Sequence, residues 1–190
     1  MRAKDFRQQA WAALKGKWKT AVLSTLIFTL LAYLINALPG IGSVAAIVLT
    51  GPLTLGYVIT MTKILHDEPV DVANTFDGFK NFLNSFVLYV VNALFVTLWS
   101  LLLVIPGIIK AYAYSMSYYI LKDNPEMNGN DARKASIEMM RGHKWELFCL
   151  ELSFIGWIIL SSLTFGILLL WVKPYMETAR VAFYEKLKNN

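Results

Sequence analysis

The chain has 190 residues, of which 56% are hydrophobic and only 16% are charged, and its net charge is +5 at pH 7. Soluble domains carry charge on about a quarter of their residues, so this composition excludes an ordinary soluble domain and predicts that apolar surface faces lipid. The positive charge does not indicate nucleic-acid binding, because the basic residues lie in short segments between apolar runs and form no continuous basic face.

The chain begins with a predicted amphipathic helix over residues 3–14. Phe6, Ala10 and Leu14 share one helical face, with Lys4 and Arg7 opposite, which is typical of a helix lying in a membrane interface. We therefore expect the N-terminus to be a retained interfacial helix rather than a secretory signal, whose apolar core is shorter.

Two apolar legs follow, with a predicted reversal between them. The first leg ends at Pro39-Gly40, and the second leg covers residues 44–64. Gly51-Pro52 interrupts this second leg. Because proline cannot donate the backbone hydrogen bond of a continuing helix, the pattern predicts a bend there.

The same order of segments then occurs again. Residues 70–80 form a second predicted amphipathic segment, and residues 82–121 form a long apolar run divided by Pro106-Gly107. Proline and glycine together favour a tight reversal. The leg before it has about 23 residues, enough to cross a bilayer core of roughly 30 Å.

A third amphipathic helix is predicted after the turn at residues 128–130, where Asn128 is a candidate N-cap. Its apolar residues are Ala132, Ala135, Met139 and Met140, and its polar face carries Arg133, Lys134, Glu138 and Arg141. Residues 145–187 then allow two interpretations. They form either one long span with a trailing amphipathic helix, or a third hairpin that turns near Gly166.

The glycine spacing favours the third hairpin. Gly16, Gly78 and Gly142 recur at intervals of 62 to 64 residues, and each precedes a predicted hairpin glycine, namely Gly40, Gly107 and Gly166. We therefore divide the single domain, residues 1–190, into repeats of about 1–65, 66–123 and 124–190. The alternative is that any six-span protein shows quasi-regular spacing of this kind by chance.

Charge placement leads to the same topology. Of the 18 Lys and Arg residues, all except Lys110, Lys173 and Arg180 fall in segments that six spans place in the cytoplasm. A five-span arrangement would export the basic C-terminus, against the positive-inside bias. The predicted fold is an all-α polytopic membrane protein of six transmembrane helices in three hairpins, each preceded by an interfacial amphipathic helix, with both termini cytoplasmic.

Several runs of residues carry a family resemblance. The run 105–115, the run 136–144, residues 152–157 and Pro174-Tyr175 together resemble the bacterial integral membrane proteins of domain-of-unknown-function family 975. The resemblance spans nearly the whole chain. It implies a multi-pass protein of the bacterial plasma membrane, and it supplies no catalytic residues. The chain also has a more distant likeness to the membrane anchor of some glycerophosphodiesterases, but this likeness is in topology only and implies no enzyme activity.

The residue types needed for common catalytic sites are sparse. His66 and His143 are far apart, and the chain has no cysteine cluster, no metal-binding histidine pair and no Gly-rich phosphate loop. We therefore expect no metal, no cofactor and no enzymatic activity.

Charged residues within the apolar legs are the more informative candidates. Counting from a turn at Gly166, Glu151 and Arg180 lie at similar depth, and Lys173 lies nearer the outer face. A carboxylate in a span must pair, face water or take a proton. The predicted pair of Glu151 with Arg180 is either a polar site for a headgroup, ion or proton, or a structural ion pair.

A second set of polar residues lies on the middle hairpin. Lys110, Tyr114, Ser117 and Tyr118 recur at helical spacing and either line a cleft or form an interfacial aromatic belt. Asn92 is a candidate for an interhelical hydrogen bond. The predicted structural hinges are Gly40, Gly51, Pro52, Pro106, Gly107, Gly166 and Pro174.

These features lead to a non-enzymatic membrane protein as the first functional hypothesis. It would act in membrane or envelope homeostasis, or bind a lipid or amphiphile, with membrane lipids as its partners. The alternatives are a small transporter or channel that uses the repeat interfaces, and an immunity or partner-binding membrane protein. Helix interruptions at Gly51-Pro52 and at Lys173-Pro174 favour transport, since transporters place substrates at such breaks.

Overall fold

The computed structural model describes residues 2–36, 42–102 and 104–189. These residues form helices joined by short turns and, among them, no strand. The helices are α1 (Ala3–Leu14), α2 (Trp18–Asn36), α3 (Gly42–Leu65), a 3-10 helix (Val72–Asn81), α4 (Phe82–Leu102), α5 (Val104–Tyr114), α6 (Ser117–Asp123), α7 (Gly129–Met139), α8 (Lys144–Leu152), α9 (Ile155–Leu163) and α10 (Leu169–Lys188).

Glycine and asparagine residues set several helix ends. Gly16 and Gly142 adopt φ values of 86° and 83° after α1 and α7, where a left-handed residue ends a helix at little cost for glycine. The Asn128 side chain accepts a hydrogen bond from the Asn130 backbone N–H at 3.0 Å, so the predicted N-cap of α7 is confirmed. Gly166, with φ of 83°, lies in the turn between α9 and α10.

Four helical stretches are long and apolar enough to cross a membrane, namely Trp18–Ile35, Val44–Leu65, Val72–Leu101 and Lys144–Leu163. The two other predicted legs differ from these. The fourth is divided between α5 and α6 by a turn at Ser115 and Met116. The sixth, α10, carries several charged residues along its length.

Successive helices run antiparallel in pairs. In the first pair, Thr25 of α2 contacts Tyr57 of α3, and Lys17 before α2 forms an ion pair with Asp67 after α3 at 2.7 Å. In a later pair, Lys186 of α10 contacts Glu146 at the start of α8.

Helices α3 and α6 run parallel to α10. Thr178 of α10 contacts Met61 of α3, and one turn or more further along both helices, Glu185 lies 3.5 Å from His66. Tyr119 contacts Glu177, and Asp123 at the end of α6 contacts Lys188 at 2.8 Å. The C-terminal ends of α3, α6 and α10 therefore meet at one end of the molecule, which we call the base.

The hydrophobic core lies toward the base. It joins α1, the second halves of α3 and α10, α6, α7 and α8, and its largest fully buried side chains include Phe6, Met61, Leu121, Leu147 and Phe183. Exposed apolar side chains are concentrated near the opposite turns, for example Leu101, Ile105 and Phe165. Such extended apolar surface is compatible with a membrane protein.

The predicted reversal at Pro106-Gly107 is wrong in its position. Both residues lie in the first turns of α5, which begins at Val104, and Gly107 does not have a positive φ. Proline fits there because the first turn of a helix needs no backbone N–H donor. A Cβ on Gly107 would lie 2.2 Å from Ser100 Oγ, so this glycine permits close packing of α4 on α5.

The predicted interruptions of α3 and α10 are wrong, and the bend predicted at Gly51-Pro52 stays a prediction. Residues Gly51 and Pro52 lie inside α3, and Pro174 lies inside α10, with each helix continuing through its proline. A Cβ on Gly51 would lie 2.4 Å from the Ser85 carbonyl oxygen of α4. Gly51 is therefore a packing residue. The predicted hinge at Gly40 lies outside the described residues.

Gly78 also differs from its predicted equivalents Gly16 and Gly142. It is buried in the 3-10 helix without a positive φ, and a Cβ on it would lie 2.0 Å from the Pro52 carbonyl oxygen. It serves close packing, whereas the other two glycines end helices.

Candidate polar site around Arg180

Arg180 lies between two carboxylates, each of which accepts a further hydrogen bond from a tyrosine. Arg180 Nη2 lies 2.6 Å from Glu151 Oε1, and Nη1 lies 3.3 Å from Glu177 Oε2. The Tyr112 hydroxyl donates to Glu151 Oε2 at 2.6 Å, and the Tyr119 hydroxyl donates to Glu177 Oε1. Three charged side chains and two phenols therefore form one hydrogen-bonded network, which we call the Arg180 network.

The break in the fourth leg positions the two tyrosines of this network. Tyr112 precedes the turn between α5 and α6, and Tyr119 follows it. The buried side chain of Ser136 on α7 satisfies the interrupted backbone. Its Oγ accepts a hydrogen bond from the Met116 N–H at 3.1 Å and donates one to the Ala113 carbonyl at 2.8 Å.

The break between α8 and α9 is satisfied in a similar way. Arg7 Nη1 of α1 donates a hydrogen bond to the Ser153 carbonyl at 2.7 Å, and its guanidinium lies 5.9 Å from the centroid of the Phe154 ring. Carbonyls freed from a helix inside a membrane need such donors, because lipid offers none. A polar side chain of another helix therefore stabilises each break, namely Ser136 of α7 at the first and Arg7 of α1 at the second.

Two cavities lie beside Arg180. The first has a volume of about 320 Å³ and lies among α2, α3, α6 and α10; the second has a volume of about 330 Å³ and is bounded by α5, α8 and α10. Arg180 and Ser115 line both. The first cavity combines polar and charged residues, Thr25, Tyr57, Tyr118, Tyr119, Lys173 and Glu177, with apolar ones, Phe28, Val58 and Met176.

Lys173 is an exposed residue that adds a positive charge to the lining of the first cavity. Within the described part of the chain, its ammonium group has no hydrogen bond and no ion pair, whereas Arg180 contacts two carboxylates. The charges of Arg180, Glu151 and Glu177 sum to −1 when both acids are ionised, and Lys173 brings the group to zero. An anionic ligand group can pair with Lys173 without breaking the Arg180 network.

The structure brings four sequence-predicted residues together. Glu151 and Arg180 are in contact, and Lys173 and Tyr118 line the first cavity with Arg180. The other three candidates do not line either cavity.

These other three candidates have different surroundings. Lys110 Nζ lies 4.9 Å from the centroid of the Trp99 ring, and the Tyr114 ring lies 5.2 Å from the guanidinium of Arg133. Asn92 Oδ1 is buried and accepts no hydrogen bond from the described residues. The helix that carries the predicted polar stripe is interrupted, because the turn between α5 and α6 separates Lys110 and Tyr114 from Ser117 and Tyr118. The aromatic belt that was its alternative stays a prediction.

Sequence reasoning missed Glu177, Tyr112 and Tyr119. For Glu177 a signal existed, since an acid three residues before Arg180 shares its helical face. The tyrosines gave no such signal, because their partners lie 39 and 58 residues away.

No group of three or more His, Cys, Asp or Glu side chains able to hold a metal ion occurs among the residues that the structure describes. His66 lies 3.8 Å from Glu68 and 3.5 Å from Glu185, and His143 lies 3.4 Å from Glu146 in a separate cluster. The arrangement around Arg180 is suited to binding a charged group, with the Tyr118 phenol and the Lys173 ammonium as donors.

A larger cavity of about 910 Å³ lies at the base between α1, the end of α3 and the end of α10. Its lining includes Asp67 and Lys186, both of which already have ion-pair partners, Lys17 and Glu146. It is larger than the cavities beside Arg180, and its lining also includes Lys15, which forms no ion pair with the described residues. We place the candidate site at Arg180 because the sequence-predicted charged residues Glu151 and Arg180 meet there.

Comparison with known proteins yields one family. A family model described as "Protein of unknown function (DUF975)" matches residues 1–111 and 100–190, and these two segments together span the chain. No curated protein and no solved structure matches the chain.

Proposed function

This chain belongs to the DUF975 family of proteins of unknown function, and we propose that it is a non-enzymatic multi-pass membrane protein that binds the anionic headgroup of a lipid or amphiphile. Binding takes place in the first cavity beside Arg180. The biological role is the maintenance of the cell membrane or envelope, in which membrane lipids are the partners.

The proposed topology has six membrane-crossing legs in three hairpin repeats, with both termini in the cytoplasm. The antiparallel helix pairs support it, as does the gathering of ion pairs at the base, where Lys17, Lys186 and Lys188 contact acidic residues. In this arrangement α1, the 3-10 helix and α7 lie in the cytoplasmic interface. The basic residues of the base then obey the positive-inside bias.

One observation carries the binding proposal. Lys173 has no anionic partner within the described residues, and it lines a cavity that also contains Arg180 and the apolar side chains of Phe28 and Met176. Ligand pockets are mostly apolar with a few convergent polar groups that fix orientation. A charged headgroup with an attached hydrocarbon chain matches both parts of this lining.

Native mass spectrometry of the purified full chain tests the proposal. We expect a larger fraction of bound phosphatidylglycerol than of bound phosphatidylcholine to remain on the protein after detergent exchange. Lys173→Gln should abolish this difference. Lys110→Gln is the matched control, since it removes an equal charge at a residue that lines neither cavity. Equal retention of phosphatidylglycerol by the wild type and by Lys173→Gln would exclude this site.

Transport is a second candidate function, favoured by the position of Arg180 and Ser115 between two cavities. A shift of the Arg180 side chain would connect the cavities into a longer path. Proton or potassium flux through proteoliposomes that increases in Arg180→Ala and not in Arg141→Ala supports transport. Flux equal to that of empty vesicles in the wild type and in both variants excludes transport of these ions.

A further inference from the structure

Four of the six tryptophans in the chain line one cavity. The cavity has a volume of about 360 Å³, and we call it the tryptophan slot. Its lining residues are Trp11, Trp18, Trp157, Leu168, Trp171, Val172 and Tyr175. None of these residues lines the cavities beside Arg180, so the slot is separate from the site proposed above.

Tertiary packing brings these rings together from four helices. Trp11 of α1 packs edge-on against Trp18 of α2 at a centroid distance of 5.3 Å, and against Tyr175 of α10 at 5.5 Å. Trp157 comes from α9. The slot therefore lies where the N-terminal helix meets the last two helices.

The tryptophans that line the slot are only partly buried. Trp11 is 52% exposed, Trp157 42% and Trp171 43%. Tryptophan contributes most when its large ring is covered, and its indole N–H suits the boundary between lipid and water. Rings gathered around a space and left this exposed gain further burial when an apolar group enters it.

The lining chemistry selects an apolar occupant. Among the described residues, no charged side chain lines the slot, and its polar side-chain groups are the indole N–H groups and the Tyr175 hydroxyl. A charged headgroup placed inside the slot would lose hydration without gaining an ionic partner. Hydrocarbon would instead contact aromatic and aliphatic surface on several sides.

Aromatic groups can also surround a quaternary ammonium ion, so a cationic occupant has to be weighed. The local charge argues against it. The Arg7 guanidinium lies against the Phe154 ring, which packs edge-on against Tyr175 at 5.0 Å, and Lys19 follows Trp18 in the sequence. Lys17, which precedes Trp18, already pairs with Asp67 and adds no free charge. A cation in the slot would meet this positive potential with no carboxylate in the lining, whereas an anionic headgroup at its mouth would be attracted.

We propose that the tryptophan slot binds one hydrocarbon chain of an anionic lipid, whose headgroup lies toward the basic residues of α1 and the start of α2. The bound chain fills the space between α1 and the pair α9 and α10. It thereby holds the N-terminal helix against the end of the chain.

Tryptophan fluorescence gives a direct test. Purified full-length protein in detergent is titrated with phosphatidylglycerol that carries brominated acyl chains, because bromine quenches nearby indole emission. We expect saturable quenching at about one lipid per protein, with weaker binding of phosphatidylcholine that carries the same chains. Leu168→Phe fills the slot and should weaken this binding about tenfold, which matches the typical cost of an overpacked site.

Leu160→Phe is the matched control, because Leu160 is an exposed leucine of α9 outside the slot. It should leave the quenching unchanged. If Leu168→Phe does not fold, as judged by circular dichroism and gel filtration, Trp157→Leu replaces it, since this ring is partly exposed and its loss removes one wall.

Three results would overturn the proposal. The first is quenching that rises linearly with lipid concentration and is equal in the wild type and Leu168→Phe. The second is equally strong quenching by phosphatidylcholine with the same brominated chains. The third is a loss of quenching in Leu160→Phe as large as that in Leu168→Phe. Lys173→Gln should not change this titration, so the slot and the site beside Arg180 can fail independently.

Discussion

Glu151 Oε1 and Arg180 Nη2 lie 2.6 Å apart although they are 29 positions apart in the sequence, with α9 and two turns between them. The contact joins α8 to α10, and each partner extends the network to a further side chain. Glu151 accepts a hydrogen bond from Tyr112, and Arg180 contacts Glu177. The pair therefore connects three legs of the structure.

Removing one charge of this pair should destabilise the fold. We expect Glu151→Gln to lower the free energy of unfolding by about 1–2 kcal/mol, a value reduced for the partial exposure of both side chains. Thermal or denaturant unfolding in detergent measures it. Glu138→Gln, which breaks the exposed pair with Arg141, is the control and should change stability by less than about 0.5 kcal/mol. Equal effects of the two variants would contradict this prediction.

Ser136→Ala should be costly because it leaves two backbone groups at the α5–α6 break without their partner. Met116 N–H loses its acceptor and the Ala113 carbonyl loses its donor. We expect a loss of about 1–3 kcal/mol in unfolding free energy. Ser162→Ala removes an exposed hydroxyl that bonds only within α9, and it should be nearly neutral. A neutral Ser136→Ala would show that water or lipid satisfies the break.

Gly78→Ala should disrupt the packing of the 3-10 helix on α3. The added Cβ would lie 2.0 Å from the Pro52 carbonyl oxygen and 2.5 Å from Gly56 N, both backbone atoms that cannot rotate away. We expect a loss of about 3 kcal/mol or more, or failure to fold. Gly156→Ala is the control, since nothing lies within 4 Å of its Cβ position and alanine favours a helix. Folding of both variants with equal melting temperatures would contradict the close contact.

Asp123 at the base should contribute to acid sensitivity. Burial raises the pKa of its carboxyl group, but hydrogen bonds from Lys122, Lys188 and Tyr184 outweigh this effect and hold the pKa below its usual value. A carboxyl whose pKa is lowered by folding stabilises the native state above its unfolded pKa of about 4, and this contribution is lost as the pH falls through the folded pKa.

Unfolding measured between pH 7 and pH 3 tests this linkage. Asp123→Asn should be less stable than the wild type at pH 7, and the difference should shrink below about pH 4. Glu126→Gln, at an exposed residue, is the control. A difference that stays constant over this pH range would show that the carboxyl charge does not contribute.

The proposed topology predicts that the C-terminal end is cytoplasmic. A protease site or cysteine placed after Lys188 should be modified in inverted membrane vesicles and protected in intact cells. A matched cysteine at Phe165, which is 99% exposed in the turn between α9 and α10, should show the opposite pattern. Labelling of the C-terminal site from outside the cell would overturn the six-leg arrangement.

Local rules predicted much of the helical framework. The ends of α1 and α7 at Gly16 and Gly142, the cap at Asn128 and the turn at Gly166 follow from residue conformational preferences. Counting residues from the turn at Gly166 places Glu151 and Arg180 at similar depth on neighbouring legs, and this predicted that they pair. The sequence predicts hinges at Gly51 and Gly107, where the structure shows close helix packing, because sequence alone does not distinguish a glycine that bends from one that packs.

The sequence by itself determined that the chain is helical, apolar and divided by short basic segments, because composition and residue periodicity act locally along the chain. The tertiary structure alone decided that Tyr112 and Tyr119 meet the two carboxylates beside Arg180, that Ser136 enters the break in the fourth leg, and that four tryptophans surround one slot. These contacts depend on how helices distant in sequence rotate and pack against one another, and no local preference specifies that rotation.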